Sequence, residues 1–183
     1  MTAQGRGTLH LVATGGSGPA DVAGVDQELA AVAGGITPAP ASNAVDVPVT
    51  FGDHRTVVAG APRLTLTYRG TVAAGSRLTR LFAQLVDPST GHVLGNQVTP
   101  VDVVLDGRTH TTTVPLEMVA FTGLPHQRIE LQLVATTVAY ATPRLGGSVE
   151  LHAVHVVLPT VTHVTVEQGA GTAPSTAAPA TAG

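Results

Sequence analysis

Between Leu78 and Gly95 the chain reads LTRLFAQLVDPSTGHVLG, and this stretch restricts the fold more than any other. A strand sends successive side chains to opposite faces. Thr79, Leu81, Ala83 and Leu85 then form a row for a core, while Leu78, Arg80, Phe82, Gln84 and Val86 form a mixed row that predicts a partly covered face. Asp87-Pro88-Ser89-Thr90-Gly91 stops the ladder. Proline removes a donor, aspartate and serine bond the local backbone, and glycine tolerates positive φ. His92-Val93-Leu94 resumes an extended chain, so the stretch predicts strand, tight turn, strand.

The same period recurs on both sides. Val45, Val47 and Val49 share a face, with Pro48 marking an edge strand. Thr56–Val58, Arg63–Tyr68, Gln97–Leu105, Thr109–Leu116, Gln127–Tyr140 and Ser148–Leu158 follow, and Arg128–Leu133 is the cleanest alternation of all. Asp106-Gly107 predicts a tight turn. Short strands are also expected at Thr8–Ala13 and Val161–Val166, and the one helical expectation is Asp21–Ala33, closed by Gly34-Gly35. Many short strands separated by turns predict an all-β antiparallel β-sandwich, a jelly roll first and an immunoglobulin-like sandwich second. The expected organisation is a connector over 1–43, a sandwich over 44–167 and a disordered low-complexity tail over 168–183.

Composition excludes several classes of function. With 183 residues the chain can bury a sizeable single core. It has no cysteine, hence no disulfide framework and no thiolate chemistry. All positive side-chain charge comes from scattered arginines, and a net charge of −3 offers no basic stripe for nucleic acid. No apolar run approaches the roughly 20 residues of a membrane helix, and MTAQGRGTLH lacks the apolar region of a signal peptide. A chain without cysteine is compatible with either redox compartment.

Candidate chemistry is sparse. Ser17 in GGSGP falls one glycine short of a nucleophile elbow, because Pro19 stands where the last glycine belongs; a loop is the expected reading. His10, His54, His92, His110, His126 and His163 stand singly, and His152 and His155, three apart on a strand, are expected on opposite faces. Asp87 with Ser89 and Thr90 reads as a self-bonded turn rather than a calcium site. There is no tryptophan for a flat sugar platform. Tyr68 and Phe82 are expected in the core, leaving Phe51, Phe121 and Tyr140. No catalytic residue, cofactor site or metal site is assigned.

From Ala44 to Pro159 the chain resembles the C-terminal jelly-roll, galactose-binding-like domain of the Xaa-Pro dipeptidyl-peptidase and cocaine esterase (CocE/NonD) hydrolase family. Three segments carry the likeness: Leu81–Gly95 with its Leu-Val-Asp and turn, His126–Thr136 (HQRIELQLVAT), and Ser148–Pro159 closing on Leu-Pro. Pro125 stands where the family has glycine, and Thr136 and Thr137 replace serines. The α/β-hydrolase domain that carries the family's serine triad has no counterpart in this sequence, so no catalytic residue transfers. The resemblance implies a noncatalytic accessory module. It would pack on a hydrolase catalytic domain, in cis or as a separate chain, and shape a substrate cleft or an oligomer contact, with Phe82 and Val86 as a candidate exposed patch. The alternative is a free-standing carbohydrate- or protein-binding sandwich.

Overall fold

The computed structural model describes residues 1–18, 41–72 and 78–161. Eleven strands are found among them: β1 (Thr2–His10), β2 (Ala44–Thr50), β3 (Thr56–Gly60), β4 (Arg63–Thr71), β5 (Leu78–Asp87), β6 (His92–Val104), β7 (Thr109–Pro115), β8 (Val119–Gly123), β9 (Arg128–Val134), β10 (Ser148–Val157) and β11 (Thr160–Val161). They form two four-stranded sheets, β1-β10-β4-β7 and β2-β9-β5-β6, and a small third sheet, β11-β3-β8. All pairings within the sheets are antiparallel.

In the two large sheets β1 and β2, β10 and β9, β4 and β5, and β7 and β6 occupy equivalent places, so each chain-neighbouring pair is split between the layers. That is the strand order of a jelly roll. The turn at Asp106-Gly107 forms as expected, with Gly107 at φ +76°, but the strands it joins belong to different sheets.

Alternation decides what the layers bury. Val45, Val47 and Val49 of β2, Ile129, Leu131 and Leu133 of β9, and Leu81, Ala83 and Leu85 of β5 point inward from one sheet. Leu64, Leu66 and Tyr68 of β4 with Val149, Leu151, Val154 and Val156 of β10 meet them from the other, in one continuous core. At about 25 cal/mol per Å² of apolar surface, each valine, leucine and isoleucine among these contributes roughly 1.5–3 kcal/mol by leaving water.

The first strand differs from its expectation. It runs over Thr2–His10, not Thr8–Ala13, and pairs with β10 from Thr2↔Val157 to His10↔Ser148. The sandwich thus contains a strand from the segment read as connector. Its inward positions escape the pattern because two of them, Gly5 and Gly7, carry no side chain. A Cβ on Gly5 would stand 2.5 Å from Val47 Cγ2, and one on Gly7 2.9 Å from Val45 Cγ2. Glycine there lets an edge strand of one sheet lie tightly against an edge strand of the other.

Further differences concern lengths and faces. The strand expected over Gln127–Tyr140 ends at Val134, and β8 is an addition. In β6 the ladder to β5 jumps from Gln84↔Val98 to Val86↔Val93, and Gly95 (φ +67°) and Asn96 (φ +54°) make the intervening bulge. Pro48 sits in β2, an edge strand as expected. The helix expected at Asp21–Ala33, the tail over 168–183 and most of the Val161–Val166 strand lie outside the described residues.

Candidate functional site

The outward face of β2-β9-β5-β6 is where polar chemistry concentrates. Register sets its rows: Ala44, Val134 and Phe82 lie side by side, then Asp46, Gln132, Gln84 and Val98, then Glu130 and Val86. Phe82, Val98 and Val134 form a second apolar cluster, joined by Ala41 and Ala44. Phe82 is 1% exposed and Val86 4%, so the exposed patch expected of them is not there. Tyr140 lies on Phe82, with ring centroids 5.4 Å apart and planes 20° apart, and its hydroxyl donates to the Val98 carbonyl at 3.2 Å.

Part of the covering layer is the segment 12–18. Ser17 N–H donates to the Thr136 carbonyl and Val138 N–H to the Ser17 carbonyl, at 3.0 and 3.1 Å. This places Ser17 as a one-residue parallel bridge to Thr137. The loop is glycine-rich for a reason of space: a Cβ at Gly16 would fall 2.3 Å from the Thr136 carbonyl oxygen. Sequence reasoning expects a loop at Ser17, and a loop is found.

Beneath that loop runs a buried polar chain. Ser17 Oγ donates to Gln84 Oε1 at 3.1 Å, Gln84 Nε2 to Gln132 Oε1 at 2.8 Å, and Gln132 Nε2 to Asp46 Oδ1 at 3.0 Å. Ser17, Gln84 and Gln132 are buried and Asp46 is exposed. Every amide in the chain is satisfied, which is what permits it among apolar neighbours. Ser17 spends its proton on a carboxamide, and a carboxamide is no general base; the arrangement does not activate a nucleophile. The sequence singles out Ser17 and misses its partners. The available signal is the pair of glutamines, each in the outward row of its strand next to apolar residues, Phe82 and Val86 in β5 and Val134 in β9.

Two concavities open on this face. One, of about 560 Å³, is walled by Gly15–Gly18 and by Thr136–Val138 and Tyr140. The other, of about 210 Å³, has Asp46, Glu130 and Gln132 as its polar wall and Val86 and Pro88 as its apolar one. Glu130 is paired with Arg128 at 2.6 Å. At the opposite end of β5, a groove of about 330 Å³ contains the Arg80–Asp102 ion pair, 2.8 Å long.

The histidines are dispersed. His10 carries the Asn43 side chain on its backbone, His54 sits in a loop, His92 opens β6, and His126 (φ +59°) stands 3.7 Å from Asp53. His110 Nε2 bonds Asp106 at 2.8 Å and lies against Tyr68. His163 is outside the described residues. His152 and His155 are not on opposite faces: the register shift after Leu151 inserts a residue, so Val149, Leu151, Val154 and Val156 share the core and both histidines lie off it. Among the described residues no group of three or more His, Asp or Glu is placed to hold a metal ion. Asp87 Oδ1 accepts from Ser89 N–H and Oγ at 2.9 and 2.6 Å, the expected self-bonded turn. No helix among the described residues is long and apolar enough to cross a membrane.

No protein-family model matches the sequence, and no curated protein matches it. Among solved structures, a CocE/NonD family hydrolase from Staphylococcus aureus aligns at TM-score 0.47 and 12% identity. The alignment covers 63% of this chain and 30% of the hydrolase. An aminopeptidase from a marine sediment archaeon of the Thaumarchaeota aligns at TM-score 0.45 and 12% identity, over 86% of this chain and 33% of its own. The present chain thus spans about a third of the length of either protein.

Proposed function

We propose that this chain is a noncatalytic β-sandwich module of an α/β-hydrolase of the Xaa-Pro dipeptidyl-peptidase and cocaine esterase type, packing on the catalytic domain and shaping its substrate cleft or an oligomer contact. The observation that carries the reading is where the three family-like segments fall. Leu81–Gly95 is β5 with its turn and the start of β6, His126–Thr136 is β9, and Ser148–Pro159 is β10. β5 and β9 are hydrogen-bonded neighbours in one sheet, and β10 lies in the other. Segments far apart in sequence thus meet in the body of a single jelly roll. The described strands of the sandwich, β1 included, run from Thr2 to Val161.

A second reading keeps one observation. Tyr140 remains 43% exposed beside the 560 Å³ concavity, which suits a free-standing sandwich that stacks a sugar on the outer face of that ring.

The native polypeptide decides between them. An antibody raised against this domain should detect in its source cells a product several times larger than 18.4 kDa. That product should cleave an activated ester or an Xaa-Pro anilide and lose the activity to a serine-directed phosphonate. A product of the chain's own size, with no hydrolase co-purifying, would overturn the proposal. Saturable quenching of Tyr140 by a glycan would then establish the second reading.

A further inference from the structure

The chain from Ser17 to Asp46 has a direction, and chemistry rather than distance fixes it. A carboxamide offers a donor at one end and an acceptor at the other, a hydroxyl can do either, and an ionised carboxylate only accepts. Gln132 therefore must turn its NH₂ to Asp46, which leaves its oxygen for Gln84. Gln84 must then turn its NH₂ to Gln132, which leaves its oxygen for Ser17. Ser17 is left no choice but to donate. With no carboxylate at the end, the whole series could run backwards with the same atoms in place.

We infer that Asp46 is a positioning residue that sets the donor–acceptor polarity of Gln132, Gln84 and Ser17 across the width of the sheet. It thereby fixes what Ser17 presents to the 560 Å³ concavity. With its proton committed to Gln84, the Ser17 hydroxyl has only lone pairs left for that concavity. The carboxylate itself stands at the smaller concavity, on the far edge of the same sheet. The two hollows are thus joined by three hydrogen bonds in series, each of which orients the next.

Two isosteric or near-isosteric changes test this, read by the ¹⁵N–¹H side-chain amide signals of Gln84 and Gln132 in the folded chain. Asp46→Asn keeps the shape and lets the end donate. Both glutamine pairs should shift or double, Gln84 included although it does not touch residue 46, and their exchange with solvent should quicken several-fold. Ser17→Ala removes the other end and leaves the carboxylate in command. It should move the Gln84 pair and leave the Gln132 pair in place. The inference is overturned if Asp46→Asn moves only Gln132, since polarity then does not propagate. It is equally overturned if Ser17→Ala moves both pairs as much as Asp46→Asn does, since direction is then not set at the carboxylate. Glu150→Gln, on the other sheet, is the control and should move neither.

Discussion

Tyr140 closes over Phe82: the two rings stack at 5.4 Å and the tyrosine hydroxyl reaches past to the Val98 carbonyl of β6. One residue from a loop thus seals an apolar cluster on the outside of a sheet, away from the main core. Tyr140→Phe keeps the stack and loses the hydrogen bond, and should cost about 0.5–1.5 kcal/mol in urea unfolding. Tyr140→Ala also loses the ring contact, worth about 0.5–1.5 kcal/mol more, and should raise the binding of a hydrophobic dye to the folded protein. Equal stability of the two variants would mean that the stack contributes nothing.

Gly5 and Gly107 should fail for different reasons when changed to alanine. At Gly5 the added methyl meets Val47 at 2.5 Å and one of the two edge strands has to move, an overpacking cost of about 1–3 kcal/mol. At Gly107 nothing lies within 4 Å, but φ is +76°; the cost is the left-handed backbone, about 1 kcal/mol. Val47→Ala combined with Gly5→Ala should recover part of the first loss, and no core truncation should recover the second. Double-mutant cycles by chemical unfolding separate the two cases.

Leu131 sits mid-strand in β9 with none of its surface exposed. Leu131→Ala should lower stability by about 2–5 kcal/mol, the range for a buried leucine whose cavity collapses only in part. Thermal unfolding followed by circular dichroism gives the number. A loss under about 1 kcal/mol would mean that the two sheets close over the space left behind.

Acid should act through Asp106. The hydrogen bond with His110, and after it the Arg108 backbone N–H, hold this carboxyl below its ordinary value. A depressed folded-state pKa means that the unfolded chain takes up the proton first. The contribution is therefore complete above the unfolded value, about 4, and drains away as pH falls through the lower folded value. Wild type should exceed Asp106→Asn in melting temperature near neutrality, and the gap should close as pH falls through that window. A gap independent of pH would assign the effect of the substitution to the backbone turn. His110→Ala should return the Asp106 carboxyl ¹³C titration toward its ordinary midpoint.

How much of this the sequence can tell depends on what each strand faces. β2 and β9 put valine, leucine and isoleucine at every second position, β4 and β5 do so with Tyr68 and Ala83 in the same rows, and a period of two survives any choice of partner strand. β1 is legible only near its end, at Leu9, since Gly5 and Gly7 do their packing by having no side chain. At His152 a single inserted residue reverses the faces, and nothing in an alternating sequence announces where a bulge falls. The outward row of β5 is legible as a row but not as a covered one. What covers Phe82 comes from Tyr140, far along the chain in a loop, and periodicity carries no information about such a lid. The Ser17–Asp46 chain is out of reach for the same reason: register brings Gln84, Gln132 and Asp46 together from three strands, and Ser17 reaches them from a loop.

The two ends of sheet β2-β9-β5-β6 carry a last consequence. On one edge, Pro48 lacks the N–H that an incoming strand would need; on the other, Gly95 and Asn96 turn the β6 backbone out of the pleat. A foreign strand laid along either margin finds the ladder broken within a few residues. Such a sheet can be crowded against copies of itself, at high concentration or during synthesis, without zipping into fibrils. It is left free to meet other proteins through its faces and loops.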